Sequence, residues 1–313
     1  MEELLQDTVA GDPVSGLKWT HRSLRKLQKA LRRRGIRLAP STIARLLRDG
    51  GFSLKTCRKQ QAGIQDSDRD RQFRHIARMR KLYLGKGLPV ISVDTMKRVL
   101  VGNFKNAGRC WRKRHRQVLD HDYPSWALGQ AIPVGIYDIR YNDGYVVVGR
   151  SHNTAAFITA AIRRWWRVVG LRRYAGKRRL LLEMDGGGAN DPRTWLWKVA
   201  LQRLADETGL TIVVTHYPPG ASKWNPIEHR MFSLISGNWA GEPLVSYETV
   251  VKHIRTTRSE SGFRCRACLD RKDYPTKQRV TPEDKARVLL KPSPVLPKLN
   301  YTIRPHRSCP LLK

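Results

Sequence analysis

The chain is 313 residues long, 40% hydrophobic, and carries 60 Lys and Arg against 26 Asp and Glu, a formal net charge of +34. No apolar run is long enough to span a membrane, the acidic start Met1-Glu2-Glu3-Leu4 is unlike a signal peptide, and five cysteines in so long a chain argue against a disulfide framework and for a reducing cytoplasm. So large an excess of cations calls for a polyanion partner, held by salt-sensitive binding.

Residues 19–54 read as helices. Leu24, Leu27 and Leu31 share a helical face, and Gly35 is placed to end it. Ser41 is a plausible N-cap for a second helix over residues 41–48, with Ile43, Leu46 and Leu47 inward and Thr42, Arg45 and Arg48 outward. That pair has the pattern of a helix-turn-helix whose second helix reads DNA, and the neighbouring Arg32-Arg33-Arg34 favours DNA too. Residues 55–80 are polar and basic; a linker gives way to a helix over 68–84 that leads into the core.

Val90-Ile91-Ser92-Val93-Asp94 reads as the first core strand, and residues 96–103 continue into a second after a turn near Lys97-Arg98. A run of cations over 109–116, with Trp111 among them, holds Arg112, Lys113 and Arg114; these are read either as DNA-backbone contacts or as a solvated loop. Strands over 131–139 and 144–149 join where Asp143-Gly144 gives a hairpin signal. Residues 154–169 form a helix with Phe157, Ala161, Trp165 and Val168 on one face. The strand Leu180-Leu181-Leu182-Glu183-Met184 ends in Asp185, and Gly186-Gly187-Gly188 then lets the backbone approach a phosphate or merely turn. Asn190 or Asp191 caps the next helix, which Gly209 ends, and Leu210-Thr211-Ile212-Val213-Val214 is a buried strand. The order β-β-β-α-β-α-β-α suits a mixed sheet covered by helices. After Trp239 the pattern thins to a helix over 246–258 and an extended, proline-rich basic tail. In that tail Cys265 and Cys268, with His306 and Cys309, could supply four zinc ligands.

Between the last strand and a helix with Ile227, Met231, Leu234 and Ile235 on one face lies a loop that brings Glu228 into the first helical turn. Asn225 as N-cap, Pro226 at the first helical position and Glu228 as a capping-box residue explain the segment by local chemistry alone. Two strands that end in Asp94 and Asp185 supply the other reading: three carboxylates converging on a hard divalent cation, with substrate phosphate completing its shell.

Ser92-Val93-Asp94-Thr95, Val101-Gly102-Asn103-Phe104-Lys105-Asn106, Asp185-Gly186-Gly187-Gly188 and Asn225-Pro226-Ile227-Glu228-His229-Arg230 resemble the DDE transposases of bacterial insertion sequences, in the ISAzo-type or Rhodopirellula-type branch. The resemblance runs over residues 19–303. It implies an α/β fold: a ribonuclease-H-like mixed sheet flanked by helices, preceded by an all-α helix-turn-helix region. The divisions expected are 1–62 for DNA binding, 63–87 for a linker helix, 88–262 for the catalytic domain and 263–313 for a basic extension. It also implies Asp94, Asp185 and Glu228 as a triad holding Mg2+ or Mn2+, two ions serving cleavage of transposon ends and strand transfer into target DNA. Expected partners are double-stranded DNA and further copies of the chain in a synaptic complex, at the bacterial nucleoid. Glu183 is read as partner to a cation rather than a ligand, Lys223 as a contact to DNA phosphate, and the histidines of the loop as structural. The alternatives are a shortened or inactive transposase-derived protein acting as repressor or inhibitor, and a nuclease of the same fold without end recognition.

Overall fold

Leu27, Leu31 and Ile43 meet in a small apolar cluster, with Leu24, Leu38, Leu47 and Phe52 around it, and this draws two helices together. The computed structural model describes residues 10–11, 18–19, 23–54, 68–221 and 224–306. The chain divides into two units, Met1–Gln61 and Ala62–Lys313. In the first, α1 (Leu24–Arg33) is capped by the Ser23 side chain, which accepts from the Lys26 N–H. It closes where the N–H of Ile36 returns to the Leu31 carbonyl, with Gly35 at φ +78°. Helix α2 (Pro40–Asp49) starts before Ser41: Pro40 takes its first turn, Ala39 precedes it, and no side chain caps it. Proline's fixed φ suits that position, so Ser41 lies inside the turn. Ile43 is fully buried and Leu47 half-buried, but Leu46, expected inward, is 38% exposed.

The second unit is a mixed sheet with helices on both faces. Helix α3 (Arg69–Gly85) leads into β1 (Val90–Thr95) and β2 (Val99–Val101). Then come β3 (Gly129–Asp138), β4 (Asp143–Gly149), α4 (Ala155–Trp165), β5 (Arg179–Met184), α5 (Trp195–Thr208) and β6 (Thr211–His216). Helices α6 (Ser233–Asn238) and α7 (Tyr247–Thr256) precede β7 (Arg264–Leu269), α8 (Pro282–Ala286), β8 (Leu290–Pro292) and β9 (Asn300–Ile303). The strand order is β8-β9-β6-β5-β1-β3-β4-β7, with β2 beside β3. Strands β1, β3 and β4 form an antiparallel meander, while β5 and β6 run parallel to β1. This is the mixed α/β arrangement expected.

The sheet's two faces read directly off its alternation. Ile132, Val134 and Ile136 join the cluster under α4 and α5, whereas Ala131 and Tyr137 join the one under α6 and α7. The four-residue connection of β3 to β4 turns at Asn142, φ 49°, so Asp143-Gly144 belongs to the strand, not the turn. Helix α5 begins later than expected: a short turn at Gly188–Asn190 and then Thr194 precede it, so neither Asn190 nor Asp191 is its cap. Residues 264–303, expected as extended tail, supply three strands of this sheet. In Arg264-Cys265-Arg266-Ala267 the buried residues are small, which hides the alternation. Cys265 and Cys268 are three apart on β7 and face opposite clusters, so they cannot grip one ion together. His306 bonds to Asp206 and Gln202, and Cys309 lies outside the described residues. No helix among the described residues is long and apolar enough to cross a membrane.

Two wide helical turns follow; the first shifts the expected buried face, and the second keeps Ile227, Met231 and Ile235 buried as expected. After α4 the chain continues through Trp166–Gly170, where each bond spans one residue more than in an α-helix. The added residue leaves Val168 57% exposed and buries Val169 in its place. The second wide turn, Glu228–Phe232, runs into α6 and buries Phe232, leaving Leu234 half-buried.

Candidate active site

Register brings the acids together. Strands β1 and β5 are parallel neighbours with Ser92 opposite Glu183 and Val93 opposite Met184, so Asp94 and Asp185 leave the same sheet edge side by side. Strand β6, parallel to β5, ends there at His216, and the Tyr217 N–H bonds back to the Met184 carbonyl at 2.7 Å. The loop that follows delivers Glu228. What lets it come close is Gly135 on β3, paired with Asp94. A Cβ there would meet the Phe232 ring at 2.5 Å and Ile227 Cδ1 at 3.0 Å, so the wide turn carrying Glu228 lies directly on the strand beside Asp94.

Each carboxylate is held differently. Asp94 Oδ1 accepts the Thr95 N–H at 2.7 Å, and Oδ2 accepts from Asn225 Nδ2 at 3.3 Å. Asn225 Oδ1 accepts from the Ser92 hydroxyl. Asn225 is fully buried, so the residue that looks like a helix cap spends its side chain orienting Asp94. The Asp185 carboxylate accepts from Asn190 Nδ2 at 3.1 Å, and its carbonyl takes the same amide at 2.8 Å. Burial, then the charge of Asp185, with Glu228 contributing less, pushes the Asp94 carboxyl up to about 8. Burial also raises Glu228, against which His229 acts and to which Asp185 adds.

A donor set of three interacting carboxylates with one acid kept partly protonated suits a hard oxygen-seeking cation, which would replace the proton and relieve the repulsion. Among the described residues no three His, Cys, Asp or Glu side chains enclose a metal by themselves. Magnesium needs no such cage, since it takes one or two protein carboxylates and completes its shell from water and phosphate.

Buried polar groups brace the edge from below. Glu183 is fully buried and takes Arg80 of α3 through two hydrogen bonds, Nε to Oε1 at 2.9 Å and Nη2 to Oε2; the Tyr217 hydroxyl donates to Oε2 at 3.0 Å. Glu183 is thus the partner of a cation, as expected. Gln72, also on α3 and fully buried, donates to the His216 carbonyl at 2.7 Å. His216 Nδ1 faces the Asp185 carbonyl at 3.0 Å, and Nε2 faces the Tyr301 hydroxyl at 3.1 Å. A carbonyl only accepts, so Nδ1 carries the hydrogen and Nε2 accepts. Burial lowers this imidazole to about 4, keeping it neutral and structural. Arg80, Tyr217, Asn225 and Tyr301 are not among the expected site residues; Asn225 is expected only as a helix cap.

In the first unit, Arg45 and Arg48 on α2 are exposed and Thr42 is half-buried. In the second, Arg112 is tied to Glu242 and the Gly241 carbonyl, while Lys113 and Arg114 are exposed beside the fully exposed Trp111. Lys223 lies outside the described residues.

Residues 1–305 match the family described as the Rhodopirellula transposase DDE domain. No curated protein matches the sequence. Among solved structures the chain is similar to the Mos1 transposase paired-end complex with left transposon end, at 13% identity and a TM-score of 0.44 over 74% of this chain and 65% of that one. It is also similar to the Mos1 mariner paired end complex with Mn, at 14% identity and a TM-score of 0.45 over the same shares. The chain therefore spans just under two thirds of the length of the structures it matches.

Proposed function

Because the chain belongs to the Rhodopirellula transposase DDE domain family, we propose that it is a ribonuclease-H-like transposase that cuts DNA at the ends of a mobile element and joins them to a target, with Asp94, Asp185 and Glu228 holding Mg2+ or Mn2+. The observation that carries this reading is the shared edge: two parallel neighbouring strands end in acids, and Gly135 admits the turn that brings the third. Bound there, divalent cations would lower the pKa of the attacking oxygen and stabilise the leaving one. Asn225 and the Thr95 N–H fix the Asp94 carboxylate, and Asn190 fixes that of Asp185. Recognition of the ends falls to α2 through Thr42, Arg45 and Arg48, and Lys113 and Arg114 meet DNA phosphate. In this reading several copies pair two element ends. A repressor lacking catalysis would have no use for three acids kept in mutual repulsion at one edge.

The test is incubation with duplex DNA carrying the element's own ends. Strand scission at those ends with Mg2+, and none with EDTA, is expected; scission unaffected by EDTA, or none with Mg2+ or Mn2+, contradicts the proposal.

Glu228→Gln separates cap from ligand, because glutamine also serves in a capping box but lacks the charge a hard cation needs. The variant is expected to melt within about 1 kcal/mol of the parent. It should bind DNA as before and cut more slowly by at least roughly 100-fold, a loss that even partners of metal ligands cause when removed. Arg45→Ala is expected to cost about 1–3 kcal/mol on end sequences and to relax their preference over random duplex. Titration of both DNAs checks this, and unchanged binding moves recognition away from α2.

A further inference from the structure

Beside the carboxylate edge a cleft of about 820 Å3 runs between α4 and α5, roofed by residues 270–284. We propose that it is the path of one unpaired nucleic-acid strand leading to the acids; this rests on the function above and specifies the form in which its substrate lies there.

Continuity is the first argument. Asn153, at one end of the cleft, accepts from the Thr95 hydroxyl at 3.2 Å, next to Asp94, and Gly188 at the same end follows Asp185 by three residues. Charge is the second. Seven cations line the cleft against Glu207, Asp270 and Asp284. Those acids are already engaged: Glu207 by Arg163 at 2.8 Å, Asp284 by Arg203 at 3.7 Å, and Asp270 by the Tyr274 hydroxyl at 2.7 Å, with Arg164 nearby. The side chains of Arg167, Lys272, Lys277 and Arg279 line the same cleft and are exposed. Four such cations along a groove suit a backbone with a charge on every nucleotide.

Width is the third argument. Helices α4 and α5 pack through one core, with axes about 8–10 Å apart in such packing, so the seam between them is a single furrow. A duplex holds its two backbones apart across a major groove of about 12 Å and can lay only one of them in that furrow, whereas an unpaired strand can lie in it with its bases. The floor between the cations is apolar, from Ala156, Ala160, Val168 and Ala200, and gives base faces a surface to lie on.

Fluorescence anisotropy in EDTA tests this with a single-stranded oligonucleotide of about twelve residues and a duplex of equal length. EDTA makes the result independent of whether the acids bind metal, so failure of the cleavage reading would leave it interpretable. Arg167→Gln/Lys277→Gln/Arg279→Gln is expected to weaken single-strand binding roughly tenfold or more, to flatten the salt slope by about 2, and to change duplex affinity less than about twofold. Lys277→Gln/Arg279→Gln, both in the exposed segment, should show a smaller loss in the same direction and guards against misfolding of the triple variant. Unchanged single-strand affinity, or equal losses for strand and duplex, overturns the proposal.

Discussion

Arg80→Ala is expected to destabilise the protein by about 3–5 kcal/mol, because it leaves a carboxylate buried without its cation. Glu183 has no exposed surface, and among the described residues its other hydrogen bond comes from the Tyr217 hydroxyl. All three hydrogen bonds lost, two to Glu183 and one to the Tyr217 hydroxyl, are charge-assisted, the kind that contributes most. For a domain of this size the melting temperature should fall by roughly 10 °C or more. Removing both charges tells the pair from its position: Arg80→Met/Glu183→Leu should recover much of the loss, since the desolvation cost disappears with the charge. Thermal melts of the two variants decide it. A double variant no better than Arg80→Ala would mean that the stem of Arg80, not its charge, matters. Glu183 lies two residues before Asp185 on β5, so loosening here should also slow cleavage.

Asp94→Asn is expected to abolish metal-dependent cleavage and leave DNA binding nearly intact. It should also change how stability depends on pH. An acid whose folded pKa is raised binds its proton more tightly when folded than when unfolded. Between the unfolded value, about 3.9, and about 8, the folded state therefore holds more protons, and stability falls as pH rises. Without metal, the parent's melting temperature should drop more steeply from pH 4 to pH 8 than that of Asp94→Asn. The variant loses the Asn225 amide's bond to Oδ2, a penalty present at every pH, so the slope and not the level is diagnostic. Parallel slopes would mean that Asp94 ionises freely.

Much of this site was legible because β1 and β5 are apolar runs that end abruptly in Asp94 and Asp185, a pattern that needs only local sequence. Their side-by-side placement was not, since it depends on a parallel pairing, such as Ser92 with Glu183, between strands far apart in the chain, which nothing local encodes. Asn225 shows the opposite failure. Its local chemistry suits a cap, yet its side chain bridges Ser92 and Asp94, because a buried amide takes whichever partners the tertiary fold supplies. Near Trp166 the wide turn shifts the buried face by one residue, from Val168 to Val169, and the apolar residues there leave the turn unmarked, whereas Ile227, Met231 and Ile235 keep the expected face through the turn at Glu228. Arg80 was invisible as a site residue for a plain reason: in a chain with 60 Lys and Arg, one more arginine on a helix carries no signal until Glu183 is seen buried against it.

Three acids from distant parts of the chain are proposed to share divalent cations. Anomalous scattering from crystals soaked in Mn2+ at pH 8 tests that most directly. Manganese peaks bonded to carboxylate oxygens of Asp94, Asp185 and Glu228 are predicted, and they should vanish in Asp94→Asn. Manganese bound elsewhere, with these three carboxylates free of metal, would contradict it.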